Sequence, residues 1–284
     1  MTIVQVLGTA QDGGVPQPGC FCTNCQQAKL SPRLRRNAAC LGIVDEQTKE
    51  WTLVDATPDF KLQMEQLETA IHPKPQSIWL THAHIGHYPG LIFLGKEAMN
   101  THELPVYAGA ELGEFLQSHL PWSTLVESKN ISIKALQHGK TYYQGDYSII
   151  PLLVPHRTEY SETFGFVING GESSLLYIPD IDRWEDWEEE LLCMANEVDY
   201  CLLDATFYSE KEVRGIGREP KSIPHPFMEE TMDRLQPLVD RKEVTVYFTH
   251  LNHSNPVLNP NTDACKTVSQ RGFRIAEEGM TIQL

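Results

Sequence analysis

Three histidines stand close together in the run Thr81-His82-Ala83-His84-Ile85-Gly86-His87, directly after the short apolar run Ser77-Ile78-Trp79-Leu80. The apolar run predicts a buried strand. Because side chains alternate between faces along an extended chain, His82 and His84 should point the same way. If a helix begins just after the run, His87 can return to the same point. Neutral imidazole is the commonest protein ligand for zinc and also suits iron, copper and nickel, so we interpret the run as a metal site and not as unrelated loop histidines.

A second group of candidate ligands is the run Cys20-Phe21-Cys22-Thr23-Asn24-Cys25, which follows the glycine- and proline-rich stretch 8–19. The chain has 7 cysteines, and this odd total makes a disulfide framework a poor explanation. Free cysteines also prefer a buried core to a loop of this kind. The C-x-C-x₂-C spacing therefore predicts thiolate ligands of a tetrahedral structural zinc, within one turn of loop, which needs a fourth ligand from elsewhere.

Histidine or aspartate also stands at the exit of four later predicted strands. In chain order they are His156 after Tyr147–Val154, Asp180 after Glu172–Ile178, Asp204 after Asp199–Leu203, and His250 after Glu243–Phe248. If the carboxyl ends of these strands line one crevice, as in layered α/β folds, the side chains meet there. Asp55 ends the strand predicted at Trp51–Asp55, and it is either an orienting partner of a ligating imidazole or a turn residue.

Other elements are predicted from their patterning alone. Helices are expected at Asp59–Ile71, after the histidine run from Tyr88 to Leu94, at Glu111–His119 and at Phe227–Leu235, and Val213–His225 is expected to be a loop over the crevice. The histidines that occur singly in polar surroundings are interpreted as loop residues with no shared role. They are His72, His102, His119 and His138.

Length and charge limit the class of protein. The 284 residues show no linker-like break, so we predict a single domain over 1–284. A formal net charge of −15 disfavours a phosphate-binding surface, and no nucleic acid is expected as a partner. No apolar run approaches the roughly 20 residues that span a bilayer, and Met1–Leu7 has the pattern of a strand and not of a signal peptide, so we expect a cytoplasmic location without membrane contact. The oligomeric state is left open by the sequence, and a homodimer is one possibility.

The histidine run resembles the His-x-His-x-Asp-His signature of the metallo-β-lactamase superfamily, with Gly86 at the position of that family's aspartate. With His156, Asp180 and His250 following in the expected order, the resemblance extends over nearly the whole chain. It implies an α/β fold, a four-layer αββα sandwich of two mixed sheets flanked by helices.

Within the superfamily, the chain is similar to the branch that contains the pyrroloquinoline-quinone biosynthesis protein B and the cyclic-phosphate phosphodiesterase of the carbon–phosphorus lyase pathway. The likeness to the quinone protein lies in Gly8–Gln17, Thr57–Asp59, Gly215–Arg218, Asn255–Asn259 and Glu278–Leu284. The likeness to the phosphodiesterase lies in the metal residues, because the quinone protein lacks the full histidine set.

The resemblance implies two metal positions in the crevice and a separate structural zinc. One metal would be held by His82, His84 and His156, and the second by His87 and His250, with Asp180 bridging the pair. The structural zinc would be held by Cys20, Cys22, Cys25 and His253, although His253 could instead have a surface role. Because Gly86 offers no side chain, the second position should bind weakly. The number of divalent ions in the crevice, one or two, and their identity, Zn²⁺, Mn²⁺ or Fe²⁺, stay open.

The resemblance also implies metal-assisted hydrolysis of a phosphodiester or another ester-like small molecule by a metal-bound hydroxide. Asp180 would position the nucleophile and His225 would protonate the leaving group, with an ordinary loop histidine as the alternative for His225. Two other functions stay open. One is an oxidative tailoring enzyme similar to the quinone protein, with iron in the histidine-rich site. The other is a non-catalytic binding or carrier protein, which the glycine at position 86 favours.

Overall fold

Two seven-stranded mixed β-sheets form the middle of the protein, and helices cover their outer faces. The computed structural model of the chain describes residues 1–68 and 75–284. The four-layer αββα sandwich implied by the resemblance is confirmed.

The first sheet comes mainly from the N-terminal half. Its strands are β1 Thr2–Gly8, β2 Cys40–Asp45, β3 Trp51–Val54, β4 Pro75–Trp79, β5 Leu104–Ala108 and β6 Ile131–Ala135, together with the C-terminal strand Thr281–Gln283, which we number β14. They lie in the order β14-β1-β2-β3-β4-β5-β6. Pairing is antiparallel from β14 to β3 and parallel from β3 to β6.

The second sheet has the same division between antiparallel and parallel pairing. Its strands are β7 Tyr142–Gln144, β8 Tyr147–Val154, β9 Thr163–Asn169, β10 Ser174–Ile178, β11 Tyr200–Asp204, β12 Thr245–Thr249 and β13 Arg274–Ile275. They lie in the order β13-β12-β11-β10-β9-β8-β7. Pairing is antiparallel from β7 to β10 and parallel from β10 to β13.

Eight α-helices and several 3₁₀ turns are found in the described residues. The helices are α1 Thr23–Leu30, α2 Phe60–Glu68, α3 Ala110–Ser118, α4 Trp122–Glu127, α5 Glu188–Glu197, α6 Glu210–Gly215, α7 Met228–Asp240 and α8 Asp263–Gln270. The 3₁₀ turns are Pro32–Leu34, Pro89–Leu94, Trp184–Asp186, Pro220–Ser222 and Pro256–Leu258. The predicted helix Asp59–Ile71 matches α2, and its last residues lie outside the described ranges.

The inner faces of the two sheets meet in one apolar core. Trp79 of β4 packs edge-on against Phe166 of β9, with ring centroids 5.9 Å apart. The hydroxyl of Tyr147 in β8 donates a hydrogen bond of 2.8 Å to Thr52 Oγ1 of β3, across the same interface. Helices α2, α3 and α4 bury their apolar faces against the first sheet, and α5, α7 and α8 against the second. Burial of this apolar surface, at roughly 25 cal/mol per Å², is what holds the layers together.

Three local predictions differ from the structure. The turn after the histidine run is a 3₁₀ turn and not an α-helix, and the Gly90 N–H near its start donates outside the turn, to the Ala56 carbonyl at 2.8 Å. The predicted loop Val213–His225 begins inside helix α6, whose first turn is capped by the Ser209 side chain. The cysteine run is not all loop either, since Cys22 is the residue before α1 and Cys25 lies within that helix.

Candidate metal centre

The run after β4 brings three imidazoles together at the end of that strand. His82 Nε2 lies 2.7 Å from His84 Nδ1, and the ring centroids of His82 and His87 are 4.1 Å apart. A tight turn returns the chain, because the His87 backbone N–H donates to the His84 carbonyl at 3.0 Å. All three side chains are buried.

A first cluster consists of His82, His84, His156 and Asp180, whose ligand atoms all lie within 4.8 Å of one another. Asp180 Oδ2 is 3.3 Å from His82 Nε2, and Asp180 Oδ1 is 3.2 Å from His156 Nε2. Burial by itself raises the pKa of Asp180, but the neighbouring imidazoles, His156 foremost, hold it well below its ordinary value. The carboxylate is therefore ionised and faces the histidines as an anion.

A second cluster consists of Asp12, His87 and His250. Asp12 Oδ1 is 3.5 Å from His87 Nε2. Asp180 Oδ2 lies 4.0 Å from His87 Nε2 and 3.8 Å from His250 Nε2. Asp180 thus stands between the two clusters, at the bridging place that the resemblance implies. We call the two clusters together the histidine crevice.

Several buried polar atoms of the crevice have no hydrogen-bond partner among the described residues. They are Oδ1 of Asp12, Oδ1 of Asp180, Nε2 of His87, Nε2 of His250 and Nδ1 of His156, the last of which lies 2.8 Å from Asp182 Oδ1 without forming a hydrogen bond. Unpartnered buried polar groups are rare in folded proteins and each needs an explanation. Imidazole nitrogens and carboxylate oxygens are ligands that Zn²⁺, Mn²⁺ and Fe²⁺ accept. The residues of the crevice therefore fit divalent metal, although which ions they hold stays a prediction.

Both imidazoles of the second cluster are fixed from behind. His87 Nδ1 is 2.7 Å from Asp55 Oδ2, and His250 Nδ1 is 3.0 Å from Thr206 Oγ1. Burial lowers the pKa of His87, but the Asp55 carboxylate and, after it, Asp12 outweigh it and the pKa rises to about 10. A metal ion bound at Nε2 would have to displace the proton held there. The Asp55 carboxylate thus contacts the His87 ring directly, an arrangement expected of an orienting partner. Contacts of this kind set the tautomer and direction of a ligating ring.

Two of these residues have backbone angles that are unusual outside glycine. Asp55 has φ 70° and His250 has φ 60°. The left-handed region costs such residues roughly 1–2 kcal/mol. Hydrogen bonds from Thr81 N and Oγ1 to the Asp55 carboxylate help to keep that conformation. Left-handed backbone at two positions of one site indicates that the fold fixes the direction of these side chains.

His225 and Asp204 form a further buried pair beside the first cluster. His225 Nδ1 is 2.8 Å from Asp204 Oδ2 and 3.3 Å from Asp180 Oδ1. Burial lowers the pKa of His225, but the Asp204 charge outweighs it and the pKa rises to about 9. Asp204 is in turn held by Thr206, whose backbone N–H and hydroxyl both donate to it, at 2.8 and 2.7 Å. At neutral pH this imidazole carries a proton.

The cysteine cluster, which we define as Cys20, Cys22, Cys25 and His253, is a separate group of ligand atoms within 4.8 Å of one another. His253 Nδ1 lies 3.3 Å from Cys20 Sγ and 3.4 Å from Cys22 Sγ. Burial raises the pKa of the Cys25 thiol to about 12, so this sulfur needs a cation beside it to ionise near neutral pH. Three sulfurs and one nitrogen are a typical donor set for tetrahedral structural zinc.

The structure adds a carboxylate that was not expected beside the second position. Gly86 was expected to leave the second position with two imidazoles and a shared carboxylate, yet Asp12 from the first long loop lies beside His87. Asp12 is not predicted as a site residue from the sequence, and neither is Asp182, whose Oδ1 lies 2.8 Å from His156 Nδ1. The available signal for Asp12 was Gly86 itself, because a glycine in a ligand motif indicates that another part of the chain approaches closely.

An apolar cavity of about 360 Å³ opens beside the histidine run. Its lining residues are Ala83, Ile85, Tyr88, Phe115 and Tyr160. The ring of Tyr160 stands edge-on to His84, with centroids 5.7 Å apart, so one wall of the cavity packs against a residue of the first cluster. Ile85 and Tyr160, at 61% and 66% exposed, present large apolar side chains to solvent at the mouth of this cavity.

Other expectations concern residues away from the crevice. His102, His119 and His138 join none of the ligand clusters found in the described residues, and His72 lies outside those residues. Within residues 1–68 and 75–284, no helix combines the length and apolar character needed to cross a membrane.

Comparison with protein families gives one match over most of the chain. The sequence profile described as "Beta-lactamase superfamily domain" matches residues 50–279. A curated relative, coenzyme PQQ synthesis protein B of Methylococcus capsulatus, is 26% identical over 315 residues, which cover 99% of this chain and 100% of the relative.

Solved structures share the architecture at lower identity. The Zn²⁺-bound PqqB from Methylobacterium extorquens superposes with a TM-score of 0.85 at 23% identity and covers 99% of this chain and 100% of that one. A diphosphatase of the PhnP family gives a TM-score of 0.70 at 22% identity and covers 99% of this chain and 96% of that one. At these identities the likeness to solved structures shows the fold.

Proposed function

The chain belongs to the β-lactamase superfamily, and from this premise we propose that it is a metal-dependent hydrolase acting on a phosphodiester or another ester-like small molecule. One observation carries the proposal. Buried ligand atoms of His87, His250 and Asp180 face one space without a protein hydrogen-bond partner, and a proton-bearing imidazole, His225, stands beside them. Burying polar atoms unpartnered is unfavourable unless a ligand satisfies them.

The chemistry that bound divalent metal supplies is activation of water near neutral pH and polarisation of a substrate oxygen. Asp180 lies between the two clusters. Its Oδ1 is 3.2 Å from His156 Nε2 and 3.3 Å from His225 Nδ1 but forms a hydrogen bond with neither, so it can orient the attacking water. His225 would donate a proton to the departing oxygen, since Asp204 holds its Nδ1 at 2.8 Å and keeps the ring protonated.

The apolar cavity would hold the organic part of the substrate. Its five lining side chains carry no charge, and the cavity adjoins His84 through the ring of Tyr160. Apolar walls with a few polar groups at one end are typical of small-molecule sites. We therefore expect a substrate whose hydrolysable group enters the crevice while an aryl or alkyl group packs on Ile85 and Tyr160.

The test is a hydrolysis assay on protein whose metal content has been measured. Bis(4-nitrophenyl) phosphate, 4-nitrophenyl esters of graded chain length and lactones would be offered with Zn²⁺, Mn²⁺ or Fe²⁺ supplied in turn. We expect hydrolysis that is lost in His84→Ala and kept in His102→Ala, since His102 is exposed and outside the clusters. Tyr160→Ala should raise KM for substrates with an aryl group more than it lowers kcat.

One result would overturn hydrolysis. If the protein with its crevice loaded hydrolyses none of these compounds, the binding or carrier function becomes the better explanation.

A second candidate function is favoured by the full-length likeness to coenzyme PQQ synthesis protein B. In this alternative the crevice would hold iron, and the protein would carry out an oxidative tailoring step in coenzyme synthesis. Imidazole ligands suit iron as well as zinc. Redox-active iron in the purified protein, together with oxygen consumption in the presence of a tyrosine-containing peptide, would favour this function over hydrolysis.

A further inference from the structure

We propose that Asp12 is the carboxylate ligand of the second metal position, and that residue 86 is a glycine because Asp12 occupies the space its side chain would fill. The superfamily signature does not assign this role, because the signature places its aspartate directly before the third histidine. The inference concerns metal binding itself, so its test does not depend on which reaction the protein catalyses.

The ligand atoms of the second cluster have the spacing of a metal site. Asp12 Oδ1 and His87 Nε2 are 3.5 Å apart, which is too long for a good hydrogen bond. Two ligands held tetrahedrally at about 2.0–2.1 Å from one zinc ion stand about 3.3–3.4 Å apart. Neither atom has a hydrogen-bond partner among the described residues, and the same holds for His250 Nε2. An ion would satisfy all of them together.

The glycine at position 86 is required by the position of Asp12. A Cβ built on Gly86 would lie 2.0 Å from Asp12 Oδ1, 2.8 Å from its Cα and 2.9 Å from its Cγ. The conflict includes backbone, so a side-chain rotation of Asp12 cannot relieve it. The two positions therefore exclude each other: a side chain at 86 displaces Asp12, and Asp12 in place allows only glycine at 86.

The loop that carries Asp12 is tied to the segment that carries His250. Leu251 N donates to the Thr9 carbonyl at 2.8 Å, and Gln11 N donates to the Leu251 carbonyl at 3.0 Å. These bonds flank both ligands, since Asp12 follows Gln11 and His250 precedes Leu251. A turn closed by Gly14 N on the Gln11 carbonyl, at 2.8 Å, then directs Asp12 toward His87. The placement of Asp12 is thus part of the fold and not an accident of a free side chain.

The first experiment removes the carboxylate. Wild type, Asp12→Asn and Asp12→Ala would be dialysed against buffers of graded free Zn²⁺, and bound zinc counted by elemental analysis. We expect both variants to hold one ion fewer per chain at limiting Zn²⁺, with the affinity of the second position weakened at least about 100-fold, the upper end of what loss of an outer partner causes. The cysteine cluster is unchanged in every variant, so the difference reports on the crevice.

The second experiment moves the carboxylate to the signature position. Gly86→Asp alone should not tighten zinc binding, because the new side chain meets Asp12. The double variant Asp12→Gly with Gly86→Asp removes the contacts with Oδ1 and Cγ and keeps only the 2.8 Å approach to the Cα of residue 12, so it should bind zinc more tightly than either single variant. Gly86→Ala is the matched control. It changes no ligand, yet it should weaken the second position by displacing Asp12, and it should have no such effect in an Asp12→Gly background.

Three results would overturn the inference. One is an Asp12→Ala protein that binds zinc with unchanged stoichiometry and affinity; another is Gly86→Asp tightening zinc in the presence of Asp12. The third result comes from the wild-type protein, so it does not depend on whether a variant folds. Anomalous diffraction from wild-type crystals grown with Zn²⁺ should place an ion within bonding distance of an Asp12 oxygen, and an ion beside His87 and His250 with Asp12 turned away would refute the assignment.

Discussion

The cysteine cluster and the histidine crevice both gather ligand atoms from distant parts of the chain, yet they are held in place by different means. In the crevice, a carboxylate or hydroxyl lies behind four of the rings: Thr81 behind His82, Asp55 behind His87, Asp182 by His156 and Thr206 by His250. In the cysteine cluster, the sulfurs have few such supports, and two of the three cysteines are partly exposed.

This difference indicates what each site contributes. Ligands that the scaffold already orients gain little order when an ion binds, so crevice metal should add chemistry more than stability. Ligands that depend on the ion for their arrangement convert binding free energy into folding free energy. The cysteine cluster also links residues 20–25 to His253 near the end of the chain, so its ion should act as a long-range crosslink.

The largest expected effect is on catalysis in the crevice. His84→Ala or His156→Ala should reduce kcat/KM for hydrolysis by about a thousandfold or more, the equivalent of several kcal/mol of lost transition-state stabilisation. The melting temperature should change by only a few degrees. Steady-state kinetics beside thermal unfolding would measure both, and a large loss of stability with activity retained would reverse the assignment of roles.

The cysteine cluster should show the opposite pattern. Cys22→Ser should release its zinc and lower stability by about 2–4 kcal/mol, as expected for a long-range crosslink. That corresponds to a melting temperature lower by roughly 5–15 °C. Activity per folded molecule should stay within about tenfold of wild type. Cys193→Ser, at an exposed thiol outside the cluster, is the control. Unchanged stability after loss of the zinc would refute a structural role.

A smaller effect is expected from the groups behind the rings. Asp55→Asn keeps the shape of the side chain but removes the charge that faces His87, and it should weaken the second metal position by about 10–100-fold. Asp182→Asn should instead weaken the first position, because Asp182 lies beside His156. Competition with a metal chelator would measure each affinity. If either variant weakened both positions equally, the crevice would behave as one coupled unit.

The smallest effect concerns the start of the loop that follows β1, which carries Asp12 and leads to the cysteine cluster. Glu278 accepts a hydrogen bond from Asn37 N, and the Asn37 carbonyl accepts from Thr9 and Ala10. Burial raises the pKa of Glu278 to about 7. A raised pKa favours the folded state below about pH 4.5, and this contribution is lost as the pH rises through 7. The free energy of unfolding of wild type should therefore fall with rising pH by about 2 kcal/mol more than that of Glu278→Gln.

Urea unfolding of wild type and Glu278→Gln between pH 5 and pH 8 would measure this contribution. The matched control is Glu277→Gln, at the exposed neighbouring position. Parallel stability curves for wild type and Glu278→Gln would contradict the expectation.

Much of the fold and most of the crevice could be predicted from local pattern. Strand β8 was expected at Tyr147–Val154 and is found there, and His156 follows it. Such predictions succeed because apolar runs and ligand spacing are local properties of the chain. Helix α6 was missed, although Ser209 and Glu212 form a local cap there, because glycines further along suggested a loop.

The position of Asp12 could not be predicted in the same way. Its place beside His87 depends on the pairing of its loop with the segment after β12, which involves residues far apart in the sequence. Asp182 beside His156 is a contact of the same kind. Nothing local in the neighbourhood of either aspartate distinguishes it from a solvated loop residue, because acidic residues in loops are common.

The mutual exclusion of Asp12 and a side chain at position 86 also restricts how such a site can change over generations. A chain with aspartate at both places would be overcrowded, and a chain with glycine at both would have only the shared Asp180 carboxylate near the second position. Any lineage that moves the acid from one loop to the other must therefore pass through a poorer intermediate, or change both codons together. The two substitutions should be strongly non-additive. A glycine at position 86 thus predicts an acidic residue at position 12.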